Sequence, residues 1–312
     1  MFSNSKRRAF AAVAALAVAG TLAACSSGDP LSSGDSGKPD DVTKITVGSQ
    51  GFPESDILAQ IYGQVLAANG YTVNYAAGIG ARETFIPALQ DGSIDLIPDY
   101  SGNLLYGADP KATATSSDDV AAALPDALKS LGLTALDSAP GQDADSLVVT
   151  PEFSAANNVT SIGDLAAIAP TLTFGANTEF EGRPYGRSGL ESVYGVKDWK
   201  FTAIDDFGGA GTLDALLKNT IQVADIYTTT PSIKQNKLVV LKDPKNLIAA
   251  QNIVPLLNSA FATDKISGLL NDVSKKITTD ELLSLNEESS SDAKPSPEAL
   301  AKEWLTSNGF LK

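Results

Sequence analysis

Residues 44–102, KITVGSQGFPESDILAQIYGQVLAANGYTVNYAAGIGARETFIPALQDGSIDLIPDYSG, switch repeatedly between two periodicities. Lys44 to Gly48 is a short β-branched run ending in glycine, which reads as a strand. After Ser49-Gln50-Gly51-Phe52, the triplet Pro53-Glu54-Ser55 opens a helix. Ile57, Leu58, Ile61, Tyr62, Val65 and Leu66 recur at helical spacing until Asn69-Gly70 stops it. Tyr71 to Tyr75 is a second strand, and Arg82 to Gln90 a second helix stopped by Asp91-Gly92. Ile94 to Ile97 is a third strand, ending at Pro98-Asp99-Tyr100-Ser101-Gly102. Strand–helix–strand–helix–strand with short loops predicts a parallel sheet flanked by helices.

The alternation returns downstream. Ser146–Thr150, Leu172–Phe174, Phe201–Ile204, Val223–Tyr227 and Leu238–Leu241 read as strands. Helices are expected to start at Ser161 and to cover Gly189–Tyr194 and Thr212–Asn219, and the chain from Asn252 onward reads as mostly helical. The expected fold class is α/β, with two lobes, each a mostly parallel sheet flanked by helices. Residues 44–146 and 253–312 would form lobe 1, and residues 147–252 lobe 2. In open α/β sheets ligands sit beyond the carboxyl ends of the strands. Four loops occupy that position: Ser49–Ser55, Ile97–Asn103, Glu179–Gly186 and Tyr227–Pro231.

The amino-terminal stretch carries a different message. Lys6, Arg7 and Arg8 precede sixteen uncharged residues, Ala9 to Ala24, and Leu22-Ala23-Ala24 leads into Cys25, the only cysteine. This pattern predicts an export signal over residues 1–24 and a lipid on Cys25, because the run is short and Ala-rich for a bilayer span of about twenty residues. Residues 25–43, Gly/Ser/Pro-rich and aperiodic, read as a tether. Sixteen such residues have a root-mean-square span of roughly 20–24 Å. The expected location is extracytoplasmic, on the outer face of the cell membrane.

Composition narrows the chemistry. Removing residues 1–24 takes away three positive charges and no acid, moving the formal net charge from −14 to −17 and arguing against a nucleic-acid partner. The chain has no histidine, which excludes Ser-His-Asp triads, His-ligated zinc and imidazole acid–base catalysis. No carboxylate pair stands in recognisable catalytic company, so the expectation is a binding protein without metal or cofactor. Gly78-Ile79-Gly80 lacks a third glycine, and Gly208-Gly209-Ala210-Gly211-Thr212 lacks the P-loop lysine.

At the four loops the chain resembles the substrate-binding lipoproteins of osmoprotectant ABC importers, which capture glycine betaine, choline and related quaternary ammonium compounds. Ile45–Leu58 (ITVGSQGFPESDIL) resembles the family's opening strand and Asn-Phe-Thr-Glu-Gln turn. Leu89–Gly102 (LQDGSIDLIPDYSG) resembles its Leu-x-x-Gly-x-Ile-Asp-x-x-Pro-Glu-Tyr-Thr-Gly segment. Glu179-Phe180, Arg183, Gly189-Leu190 and Tyr194-Gly195 resemble its Glu-Phe…Arg…Gly-Leu…Tyr-Gly pattern, and Val223–Thr230 (VADIYTTT) its Val-Asp-x-x-x-Tyr-Thr-Thr-Asp segment. The likeness spans roughly Lys44 to Lys312. It departs at Ser55 (often Gln), near Ser146 (a tyrosine in several relatives), at Thr230 (Asp) and over Ala249–Asn252, an aromatic, proline-rich turn in relatives.

The resemblance implies a two-lobed, periplasmic-binding-protein-like fold and a ligand cage of Tyr100 and Tyr227, with Tyr185 and Phe52 as neighbouring rings and Arg183 near a ligand carboxylate. Thr228, Thr229, Asp99 and Ser55 would bond the ligand or hold the tyrosines. The implied partners are an ABC permease with its ATPase, and a monomer is expected. The physics fits a quaternary ammonium, which donates no hydrogen bond and is attracted to aromatic faces by about 0.5–2 kcal/mol each. A ligand of roughly eight heavy atoms bound at micromolar strength needs about −1 kcal/mol per atom, which demands near-complete enclosure. The rival readings are an amino-acid receptor, a surface sensor that does not feed a transporter, and a carboxylate-dependent hydrolase.

Overall fold

The computed structural model describes residues 43–312, so the expected export signal, Cys25 and nearly all of the tether lie outside the described residues. Among the described residues, ten strands form two five-stranded sheets. The first holds β1 (Lys44–Gly48), β2 (Thr72–Ala76), β3 (Leu96–Tyr100), β4 (Leu133–Ala135) and, much later in the chain, Ile253–Asn258. The second holds β5 (Leu147–Val149), β6 (Thr173–Ala176), β7 (Lys200–Ala203), β8 (Val223–Asp225) and β9 (Val239–Val240). The late strand of the first sheet is β10. The orders are β2-β1-β3-β10-β4 and β7-β6-β8-β5-β9. In each, three strands run parallel, the fourth pairs antiparallel with the third of them, and the edge strand pairs antiparallel with the fourth. The chain passes between sheets twice, and the two crossing segments pair with each other at Gln142 and Asn252.

The expected helices fall where apolar spacing put them. Helix α1 (Pro53–Ala68) buries Ile57, Leu58, Ile61, Tyr62, Val65 and Leu66, while Asn69 and Gly70 end it. Each such aliphatic side chain contributes about 1.5–3 kcal/mol by leaving water. Helix α2 (Arg82–Asp91) ends at Gly92 in the left-handed region, and α3 (Ser101–Ala108) follows β3 without a loop.

Two expectations change. The third strand continues through Pro98, Asp99 and Tyr100 rather than stopping at Ile97. Pro98 faces Pro255 of β10, and a pair in which neither residue has an N–H is a non-hydrogen-bonded pair of an antiparallel ladder. Ile253–Asn258 is a strand, not the beginning of a helical tail. It lies between β3 and β4 with five of its six residues buried, so its apolar run is continuous. Periodicity alone does not separate such a run from a buried helix.

Candidate functional site

The carboxyl ends of β1 and β3 run almost directly into helices, so three helix N-termini of the first lobe meet at one place. Phe52 caps α1, Arg82 begins α2 and Tyr100 caps α3. Gly102, in the first turn of α3, touches the second crossing segment so closely that an added Cβ would lie 2.6 Å from the Ala250 carbonyl oxygen. From the second lobe, the segment after β8 brings Tyr227 to the same point, and the first crossing segment brings Asp143 and Asp145. The resulting inner cavity is lined by Gln50, Phe52, Arg82, Tyr100, Asn103, Asp143, Asp145 and Tyr227, with about 20 Å³ free. That is room for roughly one water.

The Phe52 ring is the hub. Its centroid lies 6.0 Å from Tyr100, 5.4 Å from Tyr227 and 5.5 Å from Phe207. Phe207 is held in the left-handed region at φ 56°, unusual for a bulky residue, and its N–H donates to Asn177 Oδ1 at 2.8 Å. On this side the cavity adjoins a groove of about 310 Å³ between the lobes, lined by Phe207, Leu213 and Pro231 among others.

Acids dominate the polar part. Glu54, in the first turn of α1, accepts from Tyr100 Oη at 2.7 Å, Thr229 Oγ1 at 2.7 Å and Asn286 Nδ2 at 2.6 Å. Burial raises its pKa, and those three donors offset part of the rise. Asp143 accepts from the Thr229 N–H at 2.9 Å and Thr228 Oγ1 at 3.2 Å. Burial, then the Glu54 charge, pushes it well above the usual carboxylate range. Asp145 accepts from Asn103 Nδ2 at 2.8 Å. Behind it Asp225 is raised well above that range by burial and then by the Asp145 charge, and its Oδ1 is buried without a hydrogen-bond partner. Arg82, the one cationic side chain among the described residues lining the cavity, is bidentate to Asp99 at 2.5 and 3.2 Å. Burial opposes the Arg82 charge, but the fully buried Asp99 carboxylate outweighs it and leaves the guanidinium pKa raised.

Of the residues singled out from sequence, Phe52, Tyr100 and Tyr227 come together on the inner cavity. Tyr185 lines a second interlobe groove of about 320 Å³ and is buried to 5 % exposure beside Phe180. Arg183 reaches across the lobes to Glu83 of α2 at 3.0 Å. Asp99 is spent on Arg82 and, at 3.4 Å, Gln50. Ser55 accepts from the Gln50 N–H at 2.9 Å and shapes the turn. Thr228 and Thr229 hold Asp143 and Glu54. Arg82, Asn103, Asp143 and Asp145 were not singled out. An arginine opening a helix runs against the macrodipole, and that cost was a legible signal for Arg82.

The family model described as the substrate binding domain of ABC-type glycine betaine transport systems matches residues 43–307. The chain belongs to this family. Its members are binding proteins rather than enzymes, and the chain is accordingly the substrate-binding component of such an import system. The chain is 29% identical over 228 residues to a glycine-betaine-binding protein of Pseudomonas aeruginosa, covering 68% of this chain and 71% of that one. Its fold is similar to a solved glycine betaine/carnitine/choline ABC transporter structure, with a TM-score of 0.67 and 22% identity over 86% of this chain and all of the other. It is also similar to a lactococcal protein of the family in a closed conformation with glycine betaine, with a TM-score of 0.63, 16% identity and the same coverage. Among the described residues no helix is long and apolar enough to cross a membrane.

Proposed function

We propose that the chain is a lipid-anchored extracytoplasmic receptor that takes up a quaternary ammonium solute between its lobes and hands it to an ABC permease and its ATPase. One observation carries the reading. Phe52 and Tyr100 from one lobe and Tyr227 from the other place their rings around a single carboxylate-lined cavity. A trimethylammonium group lying within about 6 Å of ring centroids gains attraction from each ring face and needs no hydrogen-bond partner. The free volume is smaller than such a group, so admission requires the lobes to part and reclosure supplies the enclosure that a small ligand's affinity demands. The export signal and Cys25 support the anchor.

Calorimetry of the full-length protein against choline, glycine betaine, carnitine and proline betaine tests this. Binding of at least one of them is expected, weakened about 2- to 30-fold by Tyr227→Ala, the loss of one ring's 0.5–2 kcal/mol. No heat with any of them, alongside clear binding of an amino acid, moves the chain to another solute class.

A further inference from the structure

Charge bookkeeping around the inner cavity separates two kinds of quaternary ammonium solute. Arg82, the single cation among the described residues of the cavity wall, is bidentate to Asp99, whose side chain is fully buried, so the two charges cancel. Arg183 is paired with Glu83 and does not line the cavity. What faces the cavity beyond that is Asp143 and Asp145, with no basic partner among the described residues that line it. Each is backed by another buried acid, Asp143 by Glu54 and Asp145 by Asp225. The second of these pairs carries an independent sign of a missing positive charge. Asp225 Oδ1 is buried and finds no donor, although it is close enough to Asp145 to interact with it directly. Two adjacent carboxyls with an orphaned acceptor need either a proton or a cation beside them.

Even with a proton on Asp225 and another on Glu54 or Asp143, the wall keeps a net negative charge of about two. A monocation lowers it. A zwitterion leaves the net charge unchanged and brings its own carboxylate against a wall that already holds Asp143 and Asp145. Desolvation strengthens that repulsion, since few waters remain to screen it.

Resting on the function proposed above, we infer that the cavity selects for a net positive charge. It takes a quaternary ammonium cation that carries no carboxylate, and its other end is a hydroxyl or similar donor, with Asp143 and Asp145 as counter-ions. A hydroxyl donor has acceptors waiting: Asp145 spends one oxygen on Asn103, and Asp143 directs a single oxygen to Thr228 and Thr229. The discrimination therefore lies in the crossing segment Asp143–Asp145, while the aromatic rings supply the part of the affinity common to both solute types.

The test compares choline, glycine betaine and 3,3-dimethyl-1-butanol, the uncharged isostere of choline, on the full-length protein by equilibrium dialysis. Choline is expected to bind at least about tenfold tighter than betaine, and the isostere not measurably, since only the charge differs. Asp145→Asn should cut that choline-over-betaine ratio at least about threefold. Its folding is checked by circular dichroism, and the wild-type comparison stands even if the variant fails to fold. Equal affinity for choline and betaine, or an isostere as good as choline, overturns the inference while leaving the quaternary ammonium reading intact. Failure of choline and betaine alike removes that reading instead.

Discussion

The two lobes are built to one plan and used differently. In both sheets the second parallel strand lies outside the first and the third lies inside it. The strand that arrives from the other lobe then pairs antiparallel with the third, and the strand that leaves for the other lobe forms the far edge. Yet the first lobe supplies Gln50, Phe52, Arg82, Tyr100 and Asn103 to the inner cavity, and the second supplies Tyr227 alone, with Asp143 and Asp145 contributed by the crossing segment. The cause is local. In the first lobe β1 and β3 lead almost at once into α1 and α3, so side chains at their ends are held by helical turns. In the second, β6 leads into a short 3₁₀ turn (Thr178–Gly182) whose following residues go elsewhere between the lobes, Arg183 to Glu83 of α2 and Tyr185 to the second groove. In the receptor proposed above, the first lobe would serve as the binding surface and the second as its cover.

The largest expected effect lies with the arginine of the binding surface. Arg82→Ala strands Asp99 without a partner at full burial, which costs about 3–5 kcal/mol. At about 2–4 °C per kcal/mol for a chain of this size, the melting temperature should fall by roughly 6–20 °C. Adding Asp99→Asn should recover much of it, because the uncompensated charge is then gone. A loss below about 1 kcal/mol for Arg82→Ala alone, measured by urea unfolding, would erase the asymmetry between the lobes at its strongest point.

Acids from both lobes and the crossing segment should also write themselves into the pH dependence of stability. Glu54 faces Asp143, Tyr100, Thr229 and Asn286. Asp143 faces Glu54, Thr228 and Thr229, and Asp225 faces Asp145, with Ser146 bonded to it and Glu179 further away. All three acids have folded-state pKa values above their unfolded ones, with burial the largest cause. The folded state therefore holds more protons, and their contribution is complete below the ordinary carboxylate range and lost as pH rises through the raised values. Asp91 and Asp164 are shifted downward by hydrogen bonds, so their contribution changes only below that window. Between about pH 4.5 and about pH 8 at constant ionic strength, the melting temperature of the ligand-free protein should decline. Asp225→Asn should flatten the slope. A melting temperature that climbs steadily over that range would contradict the placement of these acids, and added cation should oppose the decline most strongly at the high end.

What was legible in the sequence follows from how local each signal is. The strand–helix alternation of residues 44–102 needs only neighbouring residues, and β1, α1, β2 and α2 lie within a residue or two of their expected ends. Strand β10 was hidden because a run buried on both faces has no alternation to read. The rings of Phe52, Tyr100 and Tyr227 stand at or just beyond strand ends, which position alone makes suspect. The polar half of the cavity was not readable in that way. Asp143 and Asp145 sit in a crossing segment with no periodicity, and their partners Glu54 and Asp225 are far away in the chain. Nothing short of the packed structure shows that they share a wall. Arg183 illustrates the converse, since the likeness that drew attention to it carries no information about Glu83, a hundred residues earlier.

That arginine provides the smallest and most discriminating test. Arg183 is itself buried, but Glu83 is 61% exposed at the side chain, so solvent screens the pair and little of its Coulomb energy survives. Arg183→Ala should change stability by no more than about 1 kcal/mol, several times less than Arg82→Ala, and that difference should shrink further in high salt. The pair joins α2 to the loop after β6, so its loss acts on the approach of the two lobes rather than on either core. For a solute held by the rings and Asp143 and Asp145, the variant should alter affinity for choline and for glycine betaine by the same small factor. If Arg183 swung from Glu83 to a ligand carboxylate, betaine affinity would drop by about tenfold while choline affinity stayed put, since a charged hydrogen bond contributes about 1.5–3 kcal/mol. Such a split, read by calorimetry on the two ligands, would make the second lobe a binding surface in its own right.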